Sequence, residues 1–125
     1  MGRETFESLP GRKPLKDRKN IILSRKEGYG DGRITICHSV DDIFDILEGH
    51  QSEDVFVIGG ESVYKQLLPY CTEAYVTKIE HKYEADKYFT DVDSEEEWEL
   101  ASVSDLHTYK DINFRFTKYK NIKFL

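Results

Sequence analysis

Short runs of apolar residues predict four strands in the first two thirds of the chain. They are KNIILSR, RITIC, DVFVIGG and EAYVTKIE, which begin at residues 19, 33, 54 and 73. Residues 21–23 and 55–58 are continuously apolar rather than alternating with polar residues. A continuous run of this length is typical of a strand that is buried on both faces of a parallel sheet.

The clearest helical pattern follows the second strand. Ser39 can cap the helix, with Asp42 placed three residues later, and Gly49 supplies a stop signal. One face of this predicted helix is apolar and consists of Val40, Ile43, Phe44 and Leu47. The pattern therefore predicts an amphipathic helix that packs on a sheet.

Two shorter helices are predicted around the strands. One covers residues 2–9 and ends before Pro10 and Gly11, and the other, ESVYKQLL, ends before Pro69. From the first strand onwards, strands and helices alternate. That order predicts an α/β fold, with a mostly parallel sheet flanked by helices.

The tail of the chain has a different pattern. WELASVSDL and INFRFTKY are both extended in character, and Ile112, Phe114 and Phe116 alternate with polar residues. Joined by the connection HTYKD, they predict an antiparallel strand pair at one edge of the sheet. The acidic run DVDSEEE just before them lacks the glycine of a calcium loop, so we interpret it as a solvated turn.

Composition narrows the class of protein. The 125 residues predict one domain, and the net charge of −6 disfavours general nucleic-acid binding. Cys37 and Cys71 have no metal or redox spacing, and the four histidines show no ligand spacing, so no metal is expected. The charged first ten residues match neither a signal peptide nor a membrane span, which favours a cytoplasmic protein.

Four places along the chain have side chains or backbone suited to binding chemistry. The glycine pair at residues 59–60 joins a predicted strand to a helix, where backbone can approach a ligand, although such a pair is also common in plain turns. MGRET offers a helix start with Arg3 and Thr5, and LSRK offers Ser24, Arg25 and Lys26 at the end of a strand. Thr77 is the one polar side chain within AYVTKI, and its hydroxyl needs a partner if that face is buried.

Taken in order, these segments resemble one family. MGRETFESLPG, RKNIILSR, VFVIGGESVYKQLLP and EAYVTKIE are similar in order and spacing to segments of dihydrofolate reductases. The segment ADKYFTDVD, followed by Trp98, resembles the part of that family before its last two strands. The resemblance covers essentially the whole chain.

The resemblance implies reduction of 7,8-dihydrofolate to tetrahydrofolate by hydride transfer from NADPH. Gly2, Arg3 and Thr5 are implied to meet cofactor phosphates, and Ser24 and Arg25 to hold the 2′-phosphate. The family also joins its two glycines by a cis peptide, and a side chain on either would obstruct the cofactor. The remaining implied cofactor contacts are Leu23, His38, Ile58, Gly59, Gly60, Glu61, Ser62, Val63, Tyr64 and Gln66.

The same resemblance implies a folate side of the site. Arg18 is implied to pair with the α-carboxylate of the glutamate tail, for which a bidentate fork is suited. Thr77 is implied to hydrogen-bond the active-site carboxylate of the family. The other implied substrate contacts are Ser8, Leu9, Leu15, Ile58 and Tyr64.

In the family that carboxylate lies upstream of the MGR motif, at which this sequence begins. We therefore expect a chain that lacks the family's first strand, its mobile loop and its acid-bearing helix. By itself it is expected to be impaired in catalysis and prone to self-association through unpaired strand edges. With those segments it is expected to be a monomer.

Three alternative functions remain open from the sequence. They are a reductase of the riboflavin pathway with the same architecture, a fragment that binds NADPH without catalysis, and an α/β domain with a structural role. The run MGRETFES and Arg18 favour the folate enzyme over the riboflavin one.

Overall fold

The computed structural model describes residues 1–30, 32–80 and 91–124. They form two compact units, Met1–Pro69 and Tyr70–Leu125. No helix among these residues is both long and apolar enough to cross a membrane. The prediction of a single domain stays a prediction, and most of the segment ADKYFTDVD lies outside the described residues.

The first unit combines three helices with a parallel pair of strands. The helices are α1 (Arg3–Ser8), α2 (Val40–Leu47) and α3 (Glu61–Leu67), and the strands are β1 (Ile21–Leu23) and β2 (Thr35–Cys37). The strands pair in parallel, with Ile22 opposite Ile36. The parallel strand pair and the helices beside it confirm the predicted α/β class.

An apolar core lies between these elements of the first unit. Cys37, Ile43, Val63 and Leu67 are buried together, and Leu23 and Val57 pack against them. The predicted apolar face of α2 supplies Ile43, whereas Phe44 is 38% exposed. The predicted cap is confirmed, because the Ser39 side chain accepts a hydrogen bond from the Asp42 nitrogen.

The prediction of a buried strand over DVFVIGG is wrong. Residues 55–58 belong to no assigned strand, and the side chain of Phe56 is 73% exposed. Val55 has extended backbone angles, φ −112° and ψ 125°. The apolar run thus gives an extended backbone, but within the described residues no neighbouring strand forms a ladder with it.

The second unit is an antiparallel sheet built around one long strand. The strands are β3 (Glu73–Ile79), β4 (Trp98–Val103), β5 (His107–Tyr109) and β6 (Ile112–Asn121). Strand β6 pairs with β3 on one side and with β4 and β5 on the other. Its alternate residues Thr117, Tyr119 and Asn121 are all buried, as expected for a sheet with one covered face.

Two predictions for this part of the chain need correction. The strand EAYVTKIE pairs antiparallel with β6 rather than continuing a parallel sheet. The segment HTYKD is more than a connection, because His107–Tyr109 forms β5 and only Lys110 and Asp111 make the turn. Their φ angles of +48° and +64° are those of a tight hairpin turn.

Candidate functional site

The start of α1 lies against the glycine turn that precedes α3. The Gly2 nitrogen donates a hydrogen bond of 2.8 Å to the Gly59 carbonyl. Gly2 also forms an isolated parallel bridge with Leu23 at the end of β1. Phe6 is buried and fixes the helix on the unit. The sequence thus brings MGRET and the double glycine together, as the resemblance implies.

Both helices begin at a glycine without a side-chain cap. Gly2 precedes α1 and Gly60 precedes α3, and neither makes a side-chain cap hydrogen bond. The Gly60 carbonyl accepts from the Tyr64 nitrogen at 2.9 Å, which starts the helical ladder. The peptide bond between Gly59 and Gly60 is cis, as the resemblance implies.

The two glycines have different steric requirements. Gly59 has a φ of +118°, and an added Cβ would lie 3.2 Å from the ring of Tyr64. Gly60 has a φ of −89°, and an added Cβ would meet only the Thr5 hydroxyl oxygen, at an ordinary 3.5 Å. The protein therefore needs glycine at 59 for its own backbone. Beside Gly60 there is open space, which borders the Thr5 hydroxyl and the first residues of α1 and α3.

Arg3 is held by a neighbour on its own helix. Its Nη1 lies 3.4 Å from the Glu7 carboxylate, one turn along α1. The same carboxylate oxygen accepts a hydrogen bond from the Tyr29 hydroxyl at 3.1 Å. Desolvation and this hydrogen bond raise the pKa of Tyr29. Glu7 therefore positions Arg3 and ties the loop after β1 to α1.

The carboxyl ends of β1 and β2 place Ser24 beside His38. The Ser24 nitrogen donates to the Cys37 carbonyl at 2.9 Å, which continues the parallel ladder by one residue. The Ser24 carbonyl lies 2.7 Å from Nδ1 of His38, and the Ser24 hydroxyl accepts from the Lys26 nitrogen at 3.1 Å. Ser24 is buried, while Arg25 is exposed. Burial also raises the pKa of the Cys37 thiol, so this cysteine is a neutral core residue.

Helix α3 presents a row of polar side chains on its outer face. Nε2 of Gln66 donates to the Ser62 hydroxyl at 3.1 Å, and Lys65 pairs with Glu61 at 3.1 Å. The Val63 side chain is buried and anchors the helix in the core. Burial raises the pKa of Tyr64, which keeps its hydroxyl protonated at neutral pH.

The predicted folate-side residues of the first unit lie on α1 and the loop that follows it. The Ser8 hydroxyl donates to the Thr5 carbonyl at 2.6 Å, and Nε of Arg18 donates to the Lys16 carbonyl at 2.9 Å. Leu9 is partly buried at the end of α1. Ile58 is 38% exposed beside the glycine turn.

Asn20 organises this loop and was missed by the sequence analysis. It is buried, and its side chain accepts from the Leu15 nitrogen at 2.8 Å. Its amide donates to the carbonyls of Leu15 and Arg18 at 2.9 and 3.0 Å. A polar amide immediately before a buried apolar strand was the available signal. Glu7 was missed as well, although its spacing of four from Arg3 is typical of a helical ion pair.

Thr77 belongs to the second unit. It lies in β3 opposite Phe116 and is exposed. We expected the Thr77 hydroxyl to need a partner if this face of the strand were buried. In this structure the residue is exposed, so that requirement does not arise. Among the described residues, no group of three or more His, Cys, Asp or Glu side chains is arranged to hold a metal ion.

The comparisons with known proteins agree on one family. The family model described as dihydrofolate reductase matches residues 1–121. The chain is similar to the dihydrofolate reductase of Bacillus subtilis (strain 168), with 43% identity over 82% of this chain and 58% of the relative. For the dihydrofolate reductase of Staphylococcus haemolyticus the identity is 40%, over 82% of this chain and 59% of the relative.

A third relative is longer. The bifunctional dihydrofolate reductase-thymidylate synthase of Plasmodium chabaudi is 37% identical over 98% of this chain and 22% of its own length. The chain matches just under three fifths of the length of the two bacterial relatives.

Proposed function

Because the chain belongs to the dihydrofolate reductase family, we propose that it carries the NADPH site of an enzyme that reduces 7,8-dihydrofolate to 5,6,7,8-tetrahydrofolate. The hydrogen bond between Gly2 and Gly59 is the observation that carries this proposal. It joins two glycine segments at the starts of two helices, and Gly60 leaves room there for a ligand. Backbone amides at such a junction suit an anionic pyrophosphate.

We assign the phosphates of the dinucleotide to side chains around that junction. Arg3 supplies a forked cation and Thr5 a hydroxyl next to Gly60. Glu7 holds Arg3 on the helix surface, so the guanidinium is positioned before the ligand arrives. The segment from Ile58 to Tyr64 follows the pyrophosphate and the nicotinamide, with Glu61 and Ser62 on its exposed side.

The adenosine end lies at the carboxyl ends of β1 and β2 in this proposal. Ser24 and Arg25 hold the 2′-phosphate, which makes NADPH preferred over NADH. Within the described residues, Arg25 makes no ion pair with another side chain, so its charge is available to a phosphate. Leu23, His38 and Gln66 complete this end of the cofactor site.

The folate ligand meets the residues that follow α1. Arg18 pairs with the glutamate carboxylate, and the Asn20 side chain holds the loop from which Arg18 projects. Ser8, Leu9, Leu15, Ile58 and Tyr64 complete the contacts in this unit. Thr77 supports the proton-delivering carboxylate of the family, for which no position of this chain matches the family motif.

For that reason we propose that the 125 residues by themselves bind NADPH but turn over dihydrofolate poorly. Proton delivery by a positioned acid typically contributes about 10²- to 10⁴-fold to such a step. We further propose that the enzyme acts in the cytoplasm, as a monomer when the segments of the family upstream of the MGR motif are present, and that the 125 residues by themselves self-associate.

An alanine at Gly60 tests the site directly. Gly60→Ala is expected to weaken NADPH binding at least about tenfold, because the new methyl occupies the ligand's space, while the thermal midpoint changes little. Calorimetric titration with NADPH and thermal melting measure the two effects. Gly49→Ala is the matched control, because its φ of +83° strains an alanine far from the glycine turn in sequence. That variant should melt earlier and still bind NADPH.

Two results would overturn the proposal. One is normal NADPH binding by Gly60→Ala, which would leave the glycine pair with a turn role only. The other is reduction of a riboflavin-pathway pyrimidine, rather than dihydrofolate, when the chain is supplied with the upstream segment of a bacterial relative. Turnover of dihydrofolate by that reconstituted enzyme supports the assignment.

A further inference from the structure

The loop between β1 and β2 presents a tyrosine to α1. Tyr29 lies between Gly28 and Gly30, whose φ angles of +66° and +97° are in the region that favours glycine. The Tyr29 hydroxyl donates a hydrogen bond of 3.1 Å to Oε1 of Glu7, 22 residues earlier in the chain. The backbone on either side of Tyr29 is thus one that glycine permits, and it brings the hydroxyl to the surface of the helix.

The same carboxylate oxygen also holds Arg3. Nη1 of Arg3 lies 3.4 Å from Oε1 of Glu7, and within the described part of the chain this is the one polar contact between the two side chains. A guanidinium has several N–H donors in a planar fork, so a contact through one nitrogen leaves most of the fork for a ligand. Glu7 therefore restrains Arg3 without using up its capacity to bind an anion.

A closer pairing of Arg3 with Glu7 is the competing arrangement. Guanidinium and carboxylate groups frequently pair through two parallel hydrogen bonds, and residues four apart on a helix face each other. In such a pair the carboxylate occupies the fork that a phosphate needs. The hydrogen bond from Tyr29 opposes this rotation of the carboxylate, because it holds Oε1 toward the loop.

Positive charge surrounds the tyrosine. Nζ of Lys26 lies 5.7 Å from the centre of the Tyr29 ring, which is within the range of a cation–π contact. Desolvation and the hydrogen bond to Glu7 raise the pKa of the Tyr29 hydroxyl, against the opposing charges of Arg3 and Arg12. The hydroxyl therefore stays protonated at neutral pH and remains a donor, in surroundings that suit an anionic ligand.

Resting on the proposed NADPH site, we infer that Tyr29 is a positioning residue for the cofactor. Through Glu7 it keeps the Arg3 guanidinium in the contact through one nitrogen, with the rest of the fork open to a phosphate of the dinucleotide. Without the hydroxyl, the Glu7 carboxylate closes on Arg3 and competes with the phosphate for it. The loop after β1 therefore sets the affinity for NADPH through a side chain of α1.

Double-mutant cycles test this role in the 125-residue chain. Tyr29→Phe removes only the hydroxyl, and it is made in the native, Arg3→Ala and Glu7→Gln chains. Calorimetric titration with NADPH gives each dissociation constant, and circular dichroism with thermal melting checks the fold of each variant. Tyr75→Phe is the matched control, because the Tyr75 hydroxyl donates to the Glu73 carboxylate at the same 3.1 Å in the second unit.

We expect Tyr29→Phe to raise the dissociation constant for NADPH by about three- to tenfold in the native chain. The Arg3→Ala chain has no guanidinium to position, and the Glu7→Gln chain has no carboxylate to compete with the phosphate. The same change should therefore alter binding by less than about twofold in both. Tyr75→Phe should bind NADPH as the native chain does.

Either of two results would overturn the role of Tyr29 while leaving the NADPH site in place. One is native affinity for NADPH in Tyr29→Phe. The other is an equal loss in the native and Glu7→Gln chains, which would mean that the hydroxyl serves only the folding of the loop. No binding of NADPH by the native chain, or unchanged binding by Arg3→Ala, would overturn the proposed placement of the cofactor phosphates and the role of Tyr29 with it.

Discussion

At the scale of single residues, the two adjacent glycines have separate reasons to be glycine. Gly59 lies at a φ of +118° beside the ring of Tyr64, so its constraint is the backbone. Gly60 has a φ of −89°, which is outside the left-handed region, and its nearest side-chain atom is the Thr5 hydroxyl at an ordinary distance. At the second position an added Cβ would therefore meet no clash within the protein, which is why this position is informative about a ligand.

This difference predicts that alanine at position 59 lowers the stability of the protein, whereas alanine at position 60 changes it little. Gly59→Ala should lower the free energy of unfolding by about 1–3 kcal/mol, since alanine is strained at positive φ and crowds Tyr64. Urea denaturation of Gly59→Ala and Gly60→Ala checks it. A Gly59→Ala variant as stable as the native chain would contradict the steric argument.

Arg25 carries the next prediction at this scale. Arg25→Ala should weaken NADPH binding by about ten- to a hundredfold and leave NADH binding nearly unchanged, because a charge-assisted contact to the 2′-phosphate is worth about 1.5–3 kcal/mol. Titration with both cofactors gives the comparison. Lys19→Ala removes another exposed cation and serves as the control. Equal losses of affinity for NADPH and NADH would contradict the assignment of Arg25 to the 2′-phosphate.

At the scale of elements, α2 is specified by its cap as well as by its apolar face. The Ser39 hydroxyl accepts from the Asp42 nitrogen at 3.1 Å. The Asp42 carboxylate in turn accepts from the His38 nitrogen, so two backbone donors at the helix start are satisfied. This is the arrangement expected from the sequence spacing.

Removal of the cap should therefore destabilise the first unit. Ser39→Ala is expected to lower the free energy of unfolding by about 1 kcal/mol, whereas Ser39→Asp should retain the cap and most of the stability. Chemical denaturation of both variants checks this. Equal stability of the alanine and aspartate variants would mean that the cap contributes nothing.

In the second unit, the Asp93 carboxylate connects the segment before β4 to strands β3 and β6. Asp93 accepts from the Tyr119 hydroxyl at 2.6 Å and from the Lys78 ammonium group. These hydrogen bonds, from Lys78 first, hold the pKa of Asp93 below its usual value. Tyr119 is almost completely buried, so the carboxylate also satisfies the one polar atom of a core ring.

The lowered pKa predicts a pH dependence of stability. A carboxylate with a depressed folded pKa stabilises the fold above its unfolded pKa, near 4, and this stabilisation is lost as the pH falls through the folded value. Asp93→Asn should therefore be less stable than the native chain at pH 7 and should lose less on acidification. Denaturation between pH 7 and 2.5 measures this, with Asp105→Asn as control. Parallel profiles for native and Asp93→Asn chains would count against it.

At the scale of the whole molecule, the sequence predicts local structure better than pairing. The helices and β1, β2 and β3 form where periodicity and caps place them, because those signals act within a few residues. Pairing is decided by partners far along the chain. Strand β3 shows the difference: Ala74 is buried while Tyr75 and Thr77 are exposed, an alternation typical of an antiparallel sheet with one solvated face.

The candidate site was predictable in its backbone and less so in its supporting contacts. Gly2, Gly59 and Gly60 are recognisable from order and spacing. Asn20 and Glu7 act through hydrogen bonds to Leu15, Arg18, Arg3 and Tyr29 that only the folded chain displays. A sequence motif identifies the groups that contact a ligand. The residues that hold those groups in place are identified only from their hydrogen bonds in the folded chain.

Trp98, the only tryptophan in the chain, begins β4 in the second unit. Its emission is therefore an optical reporter of that unit alone, whereas the proposed cofactor site belongs to the first. Because reduced nicotinamide absorbs where tryptophan emits, Trp98 emission is recorded without NADPH. Following this emission, and retained NADPH in a matched urea series, separates the two transitions. Coincident midpoints describe one cooperative folding unit, and distinct midpoints describe two that melt independently.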